Sequence, residues 1–308
     1  MKKKVSIIGA GNVGATTAQL IVQSGLADVM LFDVVEGMPQ GKALDLAEAC
    51  PLWNSSSEIR GTNDYSDTSG SDIIVITAGL ARKPGMSRND LLHANANIVK
   101  SVCNEIAGTS PHAILIIVTN PMDVMAQLAW KTTAFSCKRV MGMGGILDAS
   151  RLRTFLAWEL NVSPEDVEAL VFGGHGDDMV PLPRFTTVKG VPVTEILSKK
   201  KINALIGRTR SGGAEIVSCL KTGSAYYAPA ASTFQMVKAI LLDEKRILPC
   251  TAFLNGEYGI KDIYVGVPVI LGKEGIEKIV EVKLAKEEKS DFKKSCASVK
   301  KLIKNLGI

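Results

Sequence analysis

The sequence predicts an α/β fold in which a doubly wound parallel sheet is followed by an α+β substrate domain. In the first half, short runs of Val, Ile and Leu alternate with segments of helical periodicity. Such alternation is typical of a parallel sheet with helices on both faces. In the second half, long helical patterns are interspersed with hairpin-like segments. We place the boundary between these parts after residue 144, which gives the ranges 1–144 and 145–308.

Four strands and four helices are predicted in the first half. The strands are almost continuously apolar, which indicates burial on both faces of the sheet; they are Val5–Ile8, Val29–Phe32, Ile73–Ile76 and Ile114–Val118. The helical patterns cover about 12–24, 37–49, 88–107 and 122–134. Gly25 is placed to cap the first of these helices.

The second half contains a predicted hairpin and several long helices. The segment Thr186–Val193 predicts two short strands joined by a turn at Lys189-Gly190, and Tyr264–Gly272 predicts a further strand. Helical patterns cover about 200–220, 225–241 and 286–305. The 308 residues contain no internal repeat and no low-complexity linker.

Composition argues against several classes of protein. The net charge is only +5, with acids mixed among the lysines, and aromatic residues make up 5%, so we expect no nucleic-acid partner. The six cysteines are dispersed without paired spacing, which predicts reduced thiols in a cytoplasmic protein and no metal site. No apolar segment approaches the length of a membrane span, so no membrane association is expected.

The segment Gly9–Gly14 predicts a cofactor site. It reads Gly-x-Gly-x-x-Gly between a predicted strand and a predicted helix, and Asp33 closes the following strand. This combination is the dinucleotide fingerprint of a Rossmann-type sheet. Gly9, Gly11 and Gly14 would permit close approach of the backbone, and the helix start at Asn12 and Val13 would offer N–H groups to a pyrophosphate. Because Asp33 would bind ribose hydroxyls and repel a 2′-phosphate, we expect NAD rather than NADP.

Residues with catalytic chemistry follow in the second half. His175 lies between glycines that expose its imidazole, whereas His93 and His112 favour a structural role. Asp148 and Arg151 share one face of a predicted helix. One interpretation is an ordinary ion pair between the two side chains. In the other, each has a separate role: the carboxylate orients an imidazole, and the guanidinium binds a substrate carboxylate.

Two loops at the carboxyl ends of predicted strands carry further candidates. In Ala81–Arg88, two arginines flank a Pro-Gly turn, which suggests a lid that closes on an acidic small molecule; the alternative is a solvated basic loop. In the other loop, Asn120 either hydrogen-bonds a substrate oxygen or is a plain turn residue before proline.

These segments, in this order, resemble the lactate/malate dehydrogenase family over essentially the whole chain, and most closely its lactate-dehydrogenase-like malate dehydrogenases of bacterial type. The resemblance implies that His175 is the proton donor and acceptor, with Asp148 as its partner. It implies that Arg88 polarises the reacting carbonyl and that Arg151 binds the adjacent carboxylate. Arg82 matches the substrate-discriminating position, where lactate enzymes typically carry glutamine.

The resemblance also implies a setting for the site. Asn95, Thr119 and Asn120 join the expected cofactor contacts, and Gly223–Tyr227 matches the helix start that shapes the pocket. The implied reaction is reversible hydride transfer between malate and oxaloacetate, with NAD as cofactor, in the tricarboxylic acid cycle. The alternatives are an L-lactate or broad 2-hydroxy-acid dehydrogenase and a non-catalytic NAD-binding sensor. A cytoplasmic homo-oligomer is implied, with a tetramer favoured over a dimer.

Overall fold

The predicted parallel sheet is present in the first half of the computed structural model, which describes residues 2–80 and 87–308. Its strands are β1 (Lys4–Ile8), β2 (Asp28–Phe32), β3 (Ile59–Thr62), β4 (Ile73–Ile76), β5 (Ile114–Ile117) and β6 (Val140–Gly142). They pair in parallel in the order β3-β2-β1-β4-β5-β6. Every residue of β4 and β5 is buried, as predicted for strands that are covered on both faces.

The helices of this half lie close to their predicted bounds. They are α1 (Asn12–Ser24), α2 (Met38–Ala49), α3 (Arg88–Thr109) and α4 (Met122–Thr133). Helix α1 ends at Gly25, whose φ of 71° is the left-handed conformation that glycine adopts without strain. Strands β3 and β6 were not predicted. Strand β3 lacks a continuous apolar run, because an exposed arginine, Arg60, is followed by Gly61. Strand β6 has only three residues.

The second half combines short strands with long helices. In chain order its elements are α5 (Gly144–Leu160), β7 (Val167–Glu168), β8 (Val171–Gly173), β9 (Met179–Pro181), β10 (Thr187–Val188), β11 (Val191–Pro192), α6 (Val193–Ile196), α7 (Lys199–Leu220), α8 (Tyr227–Leu241), β12 (Arg246–Asn255), β13 (Lys261–Gly272), β14 (Gly275–Ile279) and α9 (Lys286–Asn305). The predicted hairpin is present as β10 and β11. Lys189 and Gly190 have φ values of 48° and 86°, the positive pair that a tight hairpin turn requires.

One sheet runs through both halves. Strand β12 pairs antiparallel with β6 where Thr251 lies opposite Gly142, and the sheet continues as β12-β13-β8-β9. The main apolar core follows it, and a smaller apolar cluster lies between α5 and the strands and helices β7 to α7. The domain boundary after residue 144 stays a prediction; in the structure it falls within the first turn of α5.

This topology brings chemistry from distant segments to one edge of the sheet. The loops after β1, β4 and β5 leave the carboxyl ends of neighbouring strands, where α/β proteins bind their ligands. The loop between β8 and β9, which contains His175, approaches the same edge. Within residues 2–80 and 87–308, no helix has the length and apolar character needed to cross a membrane.

Candidate active site

A cleft of about 1050 Å³ opens at this edge of the sheet. One wall consists of the glycine-rich loop and the segments that follow β4 and β5. The other wall contains His175 and residues of α7, α8 and the loop between them. Asn12, Val13, Asn95, Thr119 and Asn120 all line the cleft. The structure therefore brings most of the predicted cofactor residues to the same cavity as the predicted acid–base residue.

The three fingerprint glycines differ in what surrounds them. A Cβ at Gly9 would lie 2.7 Å from Thr77 Oγ1, and a Cβ at Gly14 would overlap the carbonyl oxygen of Gly9, so both positions are closed by packing. Among the described residues, a Cβ at Gly11 would meet nothing within 4 Å. Helix α1 also begins without a side-chain cap. The start of α1 thus combines uncapped N–H groups with open space, which fits the pyrophosphate of a dinucleotide.

Asp33 holds the glycine-rich loop in place. Its Oδ2 accepts the Ala10 N–H at 2.7 Å, and its Oδ1 accepts the Val35 N–H at 3.0 Å. Lys42 Nζ donates to the Ala10 carbonyl oxygen at 2.7 Å. The Ala10 residue is therefore fixed at both its N–H and its carbonyl. This structural task accompanies the ribose contact that the sequence predicts for Asp33.

Asn95, Thr119 and Asn120 connect the loops beneath the cleft. The Asn95 amide accepts the Leu80 N–H at 2.7 Å and donates to the Asn120 carbonyl oxygen at 2.7 Å. Thr119 Oγ1 donates to the Ala78 carbonyl oxygen at 2.7 Å. The Asn95 side chain is buried and the Asn120–Pro121 peptide is cis. These bonds join the segments after β4 and β5 into one floor for the cleft.

His175 and Asp148 form a close pair. The imidazole Nδ1 lies 2.8 Å from Asp148 Oδ2, and the Asp148 side chain is 2% exposed. Burial alone would lower the pKa of His175, and Arg151 acts in the same direction. The carboxylates of Asp148 and Asp123 outweigh both and hold the pKa of His175 above its usual value. The pair can therefore hold and release a proton.

Arg151 lies one helical turn beyond Asp148. Its Nη1 is 3.5 Å from Asp148 Oδ1, and its buried Nε has no hydrogen-bond partner among the described residues. Burial lowers the pKa of Arg151, and Asp148 opposes this shift. A Cβ at Gly212 on α7 would lie 3.1 Å from Arg151 Cδ, so this glycine makes room for the arginine. A buried guanidinium with an unsatisfied donor can bind a carboxylate.

Sequence reasoning missed Asp123. Its Oδ2 accepts the backbone N–H of His175 at 2.8 Å, and its Oδ1 accepts the Thr251 hydroxyl at 2.6 Å. Asp123 lies in the first turn of α4, where an acid is ordinarily interpreted as stabilising the helix. The only signal was its position just after Thr119-Asn120-Pro121, and a position alone does not predict contact with a loop some fifty residues away.

Some predicted residues lie elsewhere. Arg82 is outside the described residues, and so is the side chain of Arg88, although helix α3 begins at that position. His93 and His112 are exposed and line no part of the cleft. All six cysteines are free.

Comparisons with known proteins agree with this architecture. Residues 3–142 match the model described as lactate/malate dehydrogenase, NAD binding domain, and residues 146–307 match lactate/malate dehydrogenase, alpha/beta C-terminal domain. A malate dehydrogenase of Heliobacterium modesticaldum is 55% identical over 307 residues, which cover 100% of this chain and 99% of that protein.

Two solved structures from one organism are also similar. The malate dehydrogenase of Cryptosporidium parvum superposes with a TM-score of 0.97 at 46% identity, covering 100% of this chain and 99% of that one. The lactate dehydrogenase of the same organism, complexed with lactic acid and nicotinamide adenine dinucleotide, superposes with a TM-score of 0.97 at 41% identity, covering 100% of this chain and 98% of that one. With both family models spanning almost all of its length, the chain belongs to the lactate/malate dehydrogenase family.

Proposed function

We propose that this chain is an NAD-dependent malate dehydrogenase that transfers hydride reversibly between malate and oxaloacetate. The observation that carries the proposal is the buried His175–Asp148 pair, with Arg151 beside it, at a cleft that also contains the glycine-rich loop. The name of the Heliobacterium relative, at 55% identity, supports the choice of substrate. The ranges 1–144 and 145–308 would then serve the cofactor and the substrate respectively.

The glycine-rich loop is the proposed seat of the cofactor. When bound, NAD supplies or accepts the hydride. Gly9 and Gly14 allow the loop to pack tightly, Gly11 leaves room for the cofactor to approach the backbone, and Asn12 and Val13 begin the helix whose N–H groups face an anion. Asp33 binds the ribose and disfavours NADP. Asn95, Thr119 and Asn120 form the floor beneath the cofactor and keep its loops in register.

His175 is the proposed proton donor and acceptor. During oxaloacetate reduction, its imidazolium gives a proton to the carbonyl oxygen. During malate oxidation, the neutral imidazole removes the hydroxyl proton. Asp148 accepts from Nδ1, so that Nε2 is the nitrogen that exchanges a proton with substrate.

Three arginines complete the proposed substrate site. Arg151 binds the carboxylate next to the reacting carbon, for which its unsatisfied Nε provides a donor. Arg88 polarises the carbonyl, and Arg82 binds the second carboxylate that distinguishes oxaloacetate from pyruvate. Asn120 contributes a hydrogen bond to substrate.

A lactate dehydrogenase is the second candidate. Its support is the lactate enzyme of Cryptosporidium parvum, which is 41% identical. Arg82 argues against it, because a second cation without a second carboxylate is costly to bury. The His175–Asp148 pair argues against a non-catalytic NAD sensor, because a sensor needs no group that exchanges a proton with substrate.

One kinetic comparison separates these functions. NADH oxidation is followed by absorbance with oxaloacetate and with pyruvate, and kcat/KM is determined for each. We expect oxaloacetate to be preferred by orders of magnitude. Preference for pyruvate would replace the proposed function with the second candidate, and absence of turnover with either would favour the sensor.

We further propose a cytoplasmic homo-oligomer, most simply a tetramer, that works in the tricarboxylic acid cycle. Exposed apolar side chains support the self-association. Three of them are more than half exposed: Leu44 on α2, Leu52 shortly after α2, and Ile247 on β12. The six unpaired cysteines support a reducing compartment. Light scattering after gel filtration measures the oligomeric mass directly.

A further inference from the structure

We propose that Asp123 is a positioning residue for His175, which fixes the main chain at the imidazole and adds a second negative charge to its surroundings. The mechanism above assigns the histidine's partner role to Asp148 alone. The proposal rests on the proposed function for its catalytic meaning. Its structural part is independent of that function: it concerns the carboxylate of Asp123 on α4, to which the proposed reaction assigns no role.

The first argument is the pair of hydrogen bonds to Asp123. A backbone N–H can only donate, so the 2.8 Å contact from His175 N makes Asp123 Oδ2 an acceptor. The Thr251 hydroxyl donates to Oδ1 at 2.6 Å, a length typical of a hydroxyl bound to an ionised carboxylate. The side chain is 5% exposed. The geometry therefore fits an Asp123 carboxylate that holds the catalytic loop from below through both of its oxygens.

The second argument is the set of charges around the histidine. His175 faces Asp148 and Arg151 from α5 and Asp123 from α4. Helix α9 contributes the Cys296 thiol, which feels the charges of Asp123 and Lys300. The pKa of Asp123 is raised, chiefly by burial and also by the charge on Asp148, although the Thr251 hydroxyl, the His175 N–H and the charge on His175 act against this shift. Asp123 and Asp148 thus act together on the imidazole, each from its own helix.

Ser295 offers a natural control, because it holds the same loop without a charge. Its Oγ accepts the Gly174 N–H at 2.8 Å, one residue before His175. Ser295→Ala therefore loosens the main chain while leaving the charges unchanged. Asp123→Asn does the reverse. Its amide oxygen still accepts the His175 N–H, and its NH₂ group can donate to the Thr251 hydroxyl, so the shape is retained and the charge is lost.

The test titrates the histidine itself. The free protein is labelled at its three histidines and their ring signals are followed by NMR against pH. The signal missing from His175→Asn is assigned to His175. We expect the His175 midpoint to move to lower pH in Asp123→Asn and to stay in place in Ser295→Ala. In kinetic measurements across pH, the rate of oxaloacetate reduction by Asp123→Asn should then begin to decline at a lower pH than the rate of the unmodified enzyme.

Each other outcome counts against the proposal. An unchanged midpoint in Asp123→Asn overturns it, as does an equal shift in Ser295→Ala, which would make loop position alone the cause. If Asp123→Asn does not fold, Asp123→Ser replaces it; loss of the carboxylate should shift the His175 midpoint in the same direction, and no shift overturns the proposal. Because the titration needs no substrate, failure of the unmodified enzyme to reduce oxaloacetate contradicts the proposed function only.

Discussion

At the scale of the residue, His175 works through the carboxylates that surround it. Its imidazole is bound to Asp148 at 2.8 Å, and its pKa is raised in spite of burial. In the proposed mechanism, reduction of oxaloacetate uses the protonated form of His175, and this form is lost as pH rises through the raised pKa. Oxidation of malate uses the neutral form. The same titration therefore should favour reduction at lower pH and oxidation at higher pH.

Replacement of His175 separates chemistry from binding. His175→Asn should lower kcat by about a hundredfold or more, since a positioned acid–base group contributes roughly 10²–10⁴ in rate. NADH binding, measured by fluorescence titration, should be nearly unchanged. The matched control is His112→Asn, because His112 is exposed and away from the cleft. Near-normal turnover in His175→Asn would require another proton donor.

Asp33 is the residue that we propose to set the preference between NADH and NADPH. The enzyme should use NADH far better than NADPH, and Asp33→Asn should narrow that ratio, because the negative charge is removed while an oxygen remains to accept the Ala10 N–H. The ratio of kcat/KM for the two cofactors measures the effect. Asp28→Asn, at the start of the strand that Asp33 directly follows, should leave the ratio unchanged. Equal use of both cofactors by the unmodified enzyme would refute the role of Asp33.

Arg82 is the residue that we propose to determine the choice of substrate. Arg82→Gln would leave the second carboxylate of oxaloacetate without its charged partner, and truncating one member of a buried pair costs about 2–5 kcal/mol. This corresponds to a loss of roughly 30- to 4,000-fold in kcat/KM for oxaloacetate. Activity on pyruvate should rise. A uniform loss on both substrates, or unchanged discrimination, would mean that the carboxylate is recognised elsewhere.

At the scale of the element, helix α7 determines the space available to Arg151. A Cβ at Gly212 would lie 3.1 Å from Arg151 Cδ, whereas a Cβ at Gly207 on the same helix would meet no atom within 4 Å in the described part of the chain. Gly212→Ala should therefore displace the guanidinium and raise KM for oxaloacetate, with NADH binding retained. Gly207→Ala should leave KM unchanged and stabilise the helix by about 0.5–1 kcal/mol. An equal KM in both variants would show that Arg151 tolerates the added methyl.

An element could be predicted when the sequence pattern that specifies it lies within the element itself. Strands β4 and β5 are continuous apolar runs, and α1 has both its glycine-rich start and its Gly25 end, so their sequence suffices. Strand β12 was missed because it contains Pro249 and begins with exposed residues, features that weaken a strand pattern. Its place in the sheet is decided by β6 and β13, which are distant in the chain.

The site divides in the same way. His175, Asp148 and the fingerprint glycines stand in recognisable local patterns. Asp123, Thr251 and Gly212 acquire their importance only through contacts between elements. A residue whose role lies in a tertiary contact leaves no periodicity or spacing from which it can be predicted.

At the scale of the whole molecule, the continuous sheet and its shared core should make unfolding cooperative. Both halves contribute residues to the main apolar core, so neither can lose its packing alone. Thermal unfolding followed by far-ultraviolet circular dichroism and by tryptophan fluorescence should give coincident transitions. Trp130, between Phe253 and Tyr264, reports on the junction. Two separated transitions would show that the halves unfold independently.

The pairing of β6 with β12 also has a consequence for the nascent chain during translation. Gly142 meets Thr251 across this junction, so the ribosome completes β6 about a hundred residues before its partner. At roughly 5–20 residues per second, that interval lasts about 5–20 s. Throughout it, the side of β6 that β12 later occupies has no strand to pair with. An open strand edge invites pairing with other chains, so β12 closes an edge of the parallel sheet that is exposed to such pairing until residues 246–255 have been synthesised.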